Sequence, residues 1–378
     1  MTRAIALLSG GLDSRLAVRV IQEQGIEVTG VNFITPFFGA SPAVRQAAEQ
    51  LGVPLRLLDI TDAHWQVVKN PKHGYGKNMN PCIDCHALMI REAGRLMEEL
   101  GADFIITGEV LGQRPKSQNL QALQIVERES GYPGLVLRPL SARLLPPTIP
   151  EQRGLVDRER LLDISGRSRQ RQMELAKKYG ITDYPSPAGG CILTDPGYSQ
   201  RLRQLFQNRP EAQPHEARLL RYGRLFFLPG GAYLLVGRRE EENRVIAAAA
   251  RPEDLLLTVQ GYPGPTSLLR LAPRPQEATG AQLVRPPQEA VDARLVSRPQ
   301  KVISASAGPQ PAASATEPGT AQSGDGAEKP PIDVEPLQQA AAITARYSDA
   351  KHLPLVKVAV WHPGQPPTVL EIEPAKPA

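Results

Sequence analysis

Residues 7–17 read LLSGGLDSRLA. An apolar run, two adjacent glycines and then an amphipathic stretch opening with Asp13 and Ser14 predict a strand that turns directly into a helix. The Gly10–Gly11 turn sets backbone N–H groups beside a helix N-terminus, where an anion is well received. Ser9 and Ser14 add hydroxyl donors, and the Asp13 carboxylate suits Mg²⁺ held against phosphates. The stretch is neither a Walker loop, which needs G-x-x-x-x-G-K-[ST], nor a G-x-G-x-x-G dinucleotide loop. On spacing alone an ordinary strand–helix turn, with Asp13 or Ser14 as the cap, remains open.

Outward from this turn, short runs rich in Val, Ile and Leu at 3–8, 27–34, 55–60, 103–110 and 135–140 read as strands. Helical patterns at 13–24, 41–52 and 84–100 separate the first four. The alternation predicts an α/β fold, a parallel sheet with helices on both faces. Ligands of such sheets sit beyond the carboxyl ends of the strands. The Gly-Gly turn and the segments after Ile34 and Val110 are therefore expected to converge.

Further along, 141–185 forms a basic, partly helical extension of this first domain, 1–185. Residues 186–215 connect it to strand-like pieces, RLFFL, AYLLVG and DLLLTVQG, within 216–271. Residues 272–335 are dominated by Pro, Ala, Gln, Ser and Gly, a composition expected to be disordered. A helix in LQQAAAITARYS and a strand in LVKVAVW then complete a smaller α+β domain over 336–372.

A chain of 378 residues accommodates two or three domains, and 41% hydrophobic residues suits a globular protein. No apolar run approaches the ~20 residues that span a bilayer. The N-terminus lacks the three regions of a signal peptide, so the expected location is the cytoplasm, without a membrane partner. A net charge of +5 permits a nucleic-acid partner without requiring one.

SGGLDS resembles the PP-loop, S-G-G-x-D-S, of the adenine-nucleotide alpha-hydrolases, which cleave ATP between the alpha and beta phosphates. That resemblance implies that Ser9, Gly10, Gly11, Asp13 and Ser14 hold ATP with Mg²⁺, Asp13 being catalytic. Arg15 departs from the small residue or proline common there, which bears on phosphate contacts. TGEVLGQRPKSQNLQAL (107–123), followed by RPL (138–140), is similar to the adenylation domain of the 4-thiouridine synthetases. By that similarity Gly108, Gln113 and Ser117 lie at the nucleotide and Lys116 meets a phosphate.

The chain's cysteines number three. Cys82 and Cys85 form a C-x-x-C in NMNPCIDCHALMI, where a helix beginning near Cys82 is expected to favour thiolates. Cys191 lies in SPAGGCILTDP. A structural zinc needs a fourth ligand, for which His86 is the candidate with awkward geometry. Three thiolates suit a four-iron, four-sulfur cluster with one iron free of protein. The pattern resembles that of the iron–sulfur tRNA thiolases, and implies Cys82, Cys85 and Cys191 as cluster ligands. The 2-thiouridylases, which share the PP-loop and an NPCIDCH-like cysteine, imply instead a persulfide on Cys191 that Cys85 resolves. That scheme leaves Cys82 without a role.

YLLVGRREEENRVIAAAARPEDLLLTVQGYPGPTSLL, with the helix and strand of 336–372, resembles the NFACT RNA-binding domain. Arg238, Arg239, Arg244, Arg346 and Lys357 are its candidate phosphate contacts, while Leu255–Thr258 replaces that family's aromatic strand. Together the resemblances imply an ATP-dependent tRNA sulfurtransferase that adenylates a uridine carbonyl oxygen. Its expected partners are tRNA and a sulfur-donor protein or sulfide. The alternatives are an RNA-binding quality-control factor with a vestigial nucleotide domain, or another PP-loop ligase such as an amidating one.

Overall fold

The computed structural model describes residues 1–185, 191–272 and 334–376. Its first sheet has five strands, all parallel: β1 (Arg3–Leu7), β2 (Glu27–Ile34), β3 (Leu55–Asp59), β4 (Phe104–Ile106) and β5 (Val136–Leu137). The spatial order is β3-β2-β1-β4-β5. The chain winds outward from β1 to β3, then crosses back to place β4 on the other side of β1. The strand order therefore reverses between β1 and β4, and the crevice beyond their carboxyl ends is the natural ligand site of such a sheet.

Alternate residues of each strand feed opposite cores. Ala4 and Ala6 of β1 face a cluster with α1 (Leu12–Gln22), α2 (Pro42–Leu51) and α7 (Gln170–Lys178), whereas Ile5 faces α4 (Cys82–Leu100) and α5 (Leu120–Ser130). Burial on both faces explains the unbroken apolar strands. Between β3 and α4 the chain adds α3 (Thr61–Lys69), and after β5 a single turn, α6 (Ile149–Gln152). The α3 and α5 helices extend the pattern read from sequence. The fourth expected strand ends at Ile106 and the fifth at Leu137, short of 110 and 140. Both stop where polar side chains, Glu109 and Arg138, are buried against each other instead of continuing a ladder.

The second sheet has six strands: β6 (Arg224–Phe227), β7 (Tyr233–Val236), β8 (Leu255–Val259), β9 (Ser267–Arg270), β10 (Val356–Trp361) and β11 (Thr368–Ile372). It is antiparallel, in the order β11-β10-β8-β9-β7-β6. α11 (Val334–Arg346) covers one face through Ala340, Ala341 and Ala345. α8 (Pro196–Asn208), α9 (Pro214–Leu219) and α10 (Glu240–Ala248) feed the other face, where Leu202, Leu205, Ala217 and Ile246 pack with Leu235 and Leu268. The expected disordered stretch 272–335 lies almost wholly outside the described residues, as do Gly189 and Gly190 before Cys191.

One apolar cluster joins the two halves. Phe37, Trp65, Val68 and Met79 from the parallel-sheet side pack with Leu193, Tyr198 and Leu202. Trp65 Nε1–H donates to the Ala212 carbonyl at 3.1 Å, Met79 N–H to Leu193 at 3.1 Å and Asn78 Nδ2 to Thr194 at 2.7 Å. Through these bonds the segment carrying Cys191 lies along α3 and the loop before α4. Among the described residues no helix is long and apolar enough to cross a membrane.

Candidate active site

The strand-to-helix turn after β1 is shaped by two close approaches. Gly10 has φ +78°, and a Cβ there would stand 2.9 Å from the Ala43 carbonyl carbon and the Val44 nitrogen at the start of α2. Gly108, after β4, comes against the first turn of α1; its Cβ would lie 2.6 Å from Ser14 N and 2.7 Å from the Asp13 carbonyl carbon. Both neighbours are backbone and cannot move aside, so only glycine closes this crevice. Gly11 caps α1, Ser14 Oγ donates to the Gly11 carbonyl at 2.9 Å, and the Ser9 and Ser14 hydroxyls are 3.2 Å apart.

Asp13 is the polarised centre of the turn. Its Oδ2 accepts from Gln113 Nε2 at 3.1 Å, while Oδ1 is buried without a hydrogen-bond partner among the described residues. A buried, unpaired carboxylate oxygen at a helix N-terminus is an oxygen ligand in waiting, which fits Mg²⁺. Arg15, by contrast, is taken up by contacts within the protein. It is 1% exposed and points back, donating to the Gly10 carbonyl, Gln50 Oε1 and the carbonyls of Asp183 and Ala43. The guanidinium fixes the turn from behind.

Residues 107–118 then lead from this turn to the cysteines. Gln113 holds Asp13, whereas Lys116 Nζ donates to the Tyr75 carbonyl at 2.5 Å in the loop before α4. Ser117 is buried and hydrogen-bonds at Cys82, and the Arg114 and Lys116 cations act on the same thiol. Ser117 and Lys116 thus stand on the cysteine side of the crevice, and Gly108 and Gln113 on the side of the glycine turn.

Cys82, Cys85 and Cys191 converge. Cys85 feels the charges of Cys191 and Cys82, and Cys191 that of Cys82. The expected thiolates are corrected here: burial pushes all three thiols up and outweighs both the helix N-terminus and the Arg114 and Arg221 cations. The thiols therefore favour their protonated form. Among the described residues no group of three or more His, Cys, Asp or Glu is placed to hold a metal ion.

Sequence reasoning passed over two features. His64, on α3, is 0% exposed, with Nε2 3.2 Å from Cys85 Sγ; burial pushes its imidazolium down to about 4, so the ring is neutral. His86 is no fourth ligand beside Cys85: its Nδ1 meets Glu109 Oε1 at 2.7 Å. Glu109 Oε2 accepts from Arg138 Nε at 3.1 Å, and Arg138 reaches Glu127 as well. Burial pushes the Glu109 carboxyl up, but Arg138 and His86 outweigh it and hold it down at about 2. The T-G-E and R-P-L runs carried this pair in the sequence. A cavity of about 260 Å³ is lined by Leu123, Arg138, Pro147 and Glu151. Asp84 accepts the His73 amide at 3.0 Å and has a structural role.

On the second sheet most candidate phosphate contacts are already paired: Arg238 with Glu242, Arg244 with Glu240, Lys357 with Glu371. Arg346 lies 5.5 Å over Tyr347, whose ring also meets Arg224 at 4.6 Å.

The chain is 28% identical over 139 residues to the tRNA-specific 2-thiouridylase MnmA of Methylobacterium nodulans, covering 32% of this chain and 36% of that one. It is 31% identical over 145 residues to a "Probable tRNA sulfurtransferase" of Thermococcus kodakarensis, covering 36% of each. A solved 4-thiouridine synthetase–RNA complex with bound ATP matches 57% of this chain and 53% of its own, at 26% identity and a TM-score of 0.35. The chain spans about a third of the length of both curated relatives. Residues 1–143, which carry the glycine turn, Cys82, Cys85 and the Glu109–Arg138 pair, match the family described as Thiamine biosynthesis protein (ThiI).

Proposed function

We propose that this chain is an ATP-dependent tRNA sulfurtransferase that adenylates a uridine carbonyl oxygen and replaces it with sulfur, acting in the cytoplasm. The observation that carries the reading is the loop 107–118, which ties Asp13 at one end to Cys82 at the other. A phosphate-binding turn and a thiol centre so connected suit a reaction in which ATP activates an oxygen and sulfur displaces it. The similarity to tRNA-modifying relatives supports the same reading.

ATP lies against the Gly10–Gly11 turn, its phosphates facing the amides at the start of α1 and the Ser9 and Ser14 hydroxyls. Asp13 and Ser14 would hold Mg²⁺, which lowers the cost of charge building up on the phosphate oxygens. The uridine oxygen attacks the alpha phosphorus, the bond to the bridging oxygen breaks and pyrophosphate leaves. The uridine then carries AMP, a good leaving group. A sulfur nucleophile at the cysteine centre adds to the ring carbon, and the carbon–oxygen bond breaks with release of AMP. Arg114 and Arg221 supply positive potential where that negative charge passes. Cys82, Cys85 and Cys191 would hold a four-iron, four-sulfur cluster, which when bound offers an open iron to the incoming sulfur. The sulfur comes from a donor protein or sulfide. The second sheet is read as an NFACT-like RNA contact, through the Arg224–Tyr347–Arg346 stack.

Purified protein given ATP, tRNA and a sulfide source should form AMP and thiouridine together, and Asp13→Asn should form neither. Thiouridine from the Asp13→Asn protein would refute the nucleotide assignment. Anaerobic protein should carry about four iron per chain, and Cys82→Ser should lose iron and thiolation together. An iron-free, active Cys82→Ser would instead establish persulfide chemistry on Cys85 and Cys191.

A further inference from the structure

Arg15 follows the SGGLDS run directly, where the PP-loop pattern has a small residue or proline, and it is 1% exposed. Each nitrogen of its guanidinium donates. Nε reaches the Gly10 carbonyl at 3.1 Å, Nη1 reaches Gln50 Oε1 at 2.7 Å and the Asp183 carbonyl at 2.6 Å, and Nη2 reaches the Ala43 carbonyl at 3.3 Å. All four acceptors, three carbonyls and an amide oxygen, are neutral. Arg15 feels the charge of the Asp183 carboxylate, but that group is bonded to Gln46 Nε2. A buried cation that no carboxylate grips is costly, and an anion arriving nearby lowers that cost.

The Gly10 carbonyl connects this cation to the crevice. Its oxygen and the Gly11 N–H belong to one trans peptide group, so they point in opposite directions. With the oxygen held by Arg15, the N–H faces away from the guanidinium, toward Ser9. There it meets Ser9 Oγ at 3.4 Å, long for a hydrogen bond, so a better acceptor can displace that contact. A donor on the oxygen of a peptide also polarises it and strengthens its N–H. Gly10, at φ +78°, lacks the side chain that would restrain this peptide from turning over. The rigid fork of Arg15, anchored on α2 and on Asp183, supplies the restraint instead.

We infer that Arg15 is the positioning residue of the glycine turn: by holding the Gly10 carbonyl it keeps the Gly11 N–H aimed at a phosphate and strengthens that donor with its buried charge. The inference rests on the reading of this turn as the ATP phosphate site. Arg15 serves the phosphate chain and not the nucleoside, because its effect is delivered through a single N–H of the turn.

Calorimetry of wild type, Arg15→Met and Arg15→Lys with magnesium ATP, with pyrophosphate and with adenosine tests it. Methionine keeps much of the bulk without donors or charge, whereas lysine keeps the charge but cannot reach all the acceptors at once. Arg15→Met should bind ATP and pyrophosphate about ten- to a hundredfold more weakly, the worth of a hydrogen bond to a charged group, and adenosine as wild type does. Arg15→Lys should fall between the two. Unchanged ATP binding in Arg15→Met overturns the proposal. So does an equal weakening of ATP and adenosine, which marks general loosening of the fold. Where the methionine variant does not fold, the lysine variant decides by the same two criteria. Wild type that binds no ATP refutes the nucleotide reading itself, whereas wild-type binding that Arg15→Met retains in full refutes the role of Arg15 alone.

Discussion

Gly108 and Glu109 show how single residues set this site. The missing side chain of Gly108 lets the end of β4 rest on the backbone of Asp13 and Ser14, 2.6 Å from where a Cβ would be. Gly108→Ala should therefore push the first turn of α1 away from Gln113, lowering AMP formation on the order of a hundredfold. A variant that turns over ATP at the wild-type rate would show that the contact has no part in nucleotide binding. Glu109 is ionised, buried and shared between Arg138 and His86. Glu109→Gln leaves Arg138 with less compensation and should cost about 3 kcal/mol in denaturant unfolding at neutral pH. Because the Glu109 carboxyl is held at about 2 against an ordinary 4.5, its stabilisation is complete above pH 4.5 and fades as pH falls toward 2. The gap between wild type and Glu109→Gln should close over that window. A gap that stays constant down to pH 2 would mean Glu109 is not held ionised by its partners.

At the scale of elements, α3 and α4 present the sulfur centre from two sides. The helix α4 starts at Cys82 and places Cys85 one turn on; α3 brings His64 to Cys85 and Trp65 to the segment that carries Cys191. Trp65→Ala removes a ring packed on Phe37 and Phe206 and frees the Ala212 carbonyl, at about 3–5 kcal/mol. Cys191 should then be alkylated faster by iodoacetamide in the native protein, with Cys85 little changed. Equal acceleration at both would point to general loosening rather than release of one segment. The sequence displayed α4 plainly, through Pro81, the C-x-x-C and a long apolar period. It concealed α3, because TDAHWQVVK is short and its buried face is a histidine, a tryptophan and one valine. Several of its neighbours in space come from residues 198–220, a separation that no local pattern reveals.

Over the whole molecule, the parallel sheet was legible because strands buried on both faces leave continuous apolar runs, and the glycine turn marks the first of them. The convergence of the Gly10–Gly11 turn with the segment after Val110 followed from the strand order and is seen in the Gln113–Asp13 bond. What could not be read was the balance of forces on the cysteines, where burial defeats the helix terminus; burial depends on the docking of Cys191 and on Trp65, which are remote in sequence. The parallel sheet holds the glycine turn, the loop 107–118 crosses to the thiols, and residues of the second sheet pack with the segment that carries Cys191. Nucleoside mass spectrometry of tRNA measures the outcome of that arrangement. In a strain lacking this chain, one thiouridine should disappear from tRNA, return with the wild-type chain, and stay absent with Asp13→Asn or Cys85→Ser. An unchanged set of thiouridines in the deletion strain, or full recovery with Cys85→Ser, would contradict sulfur transfer through this site.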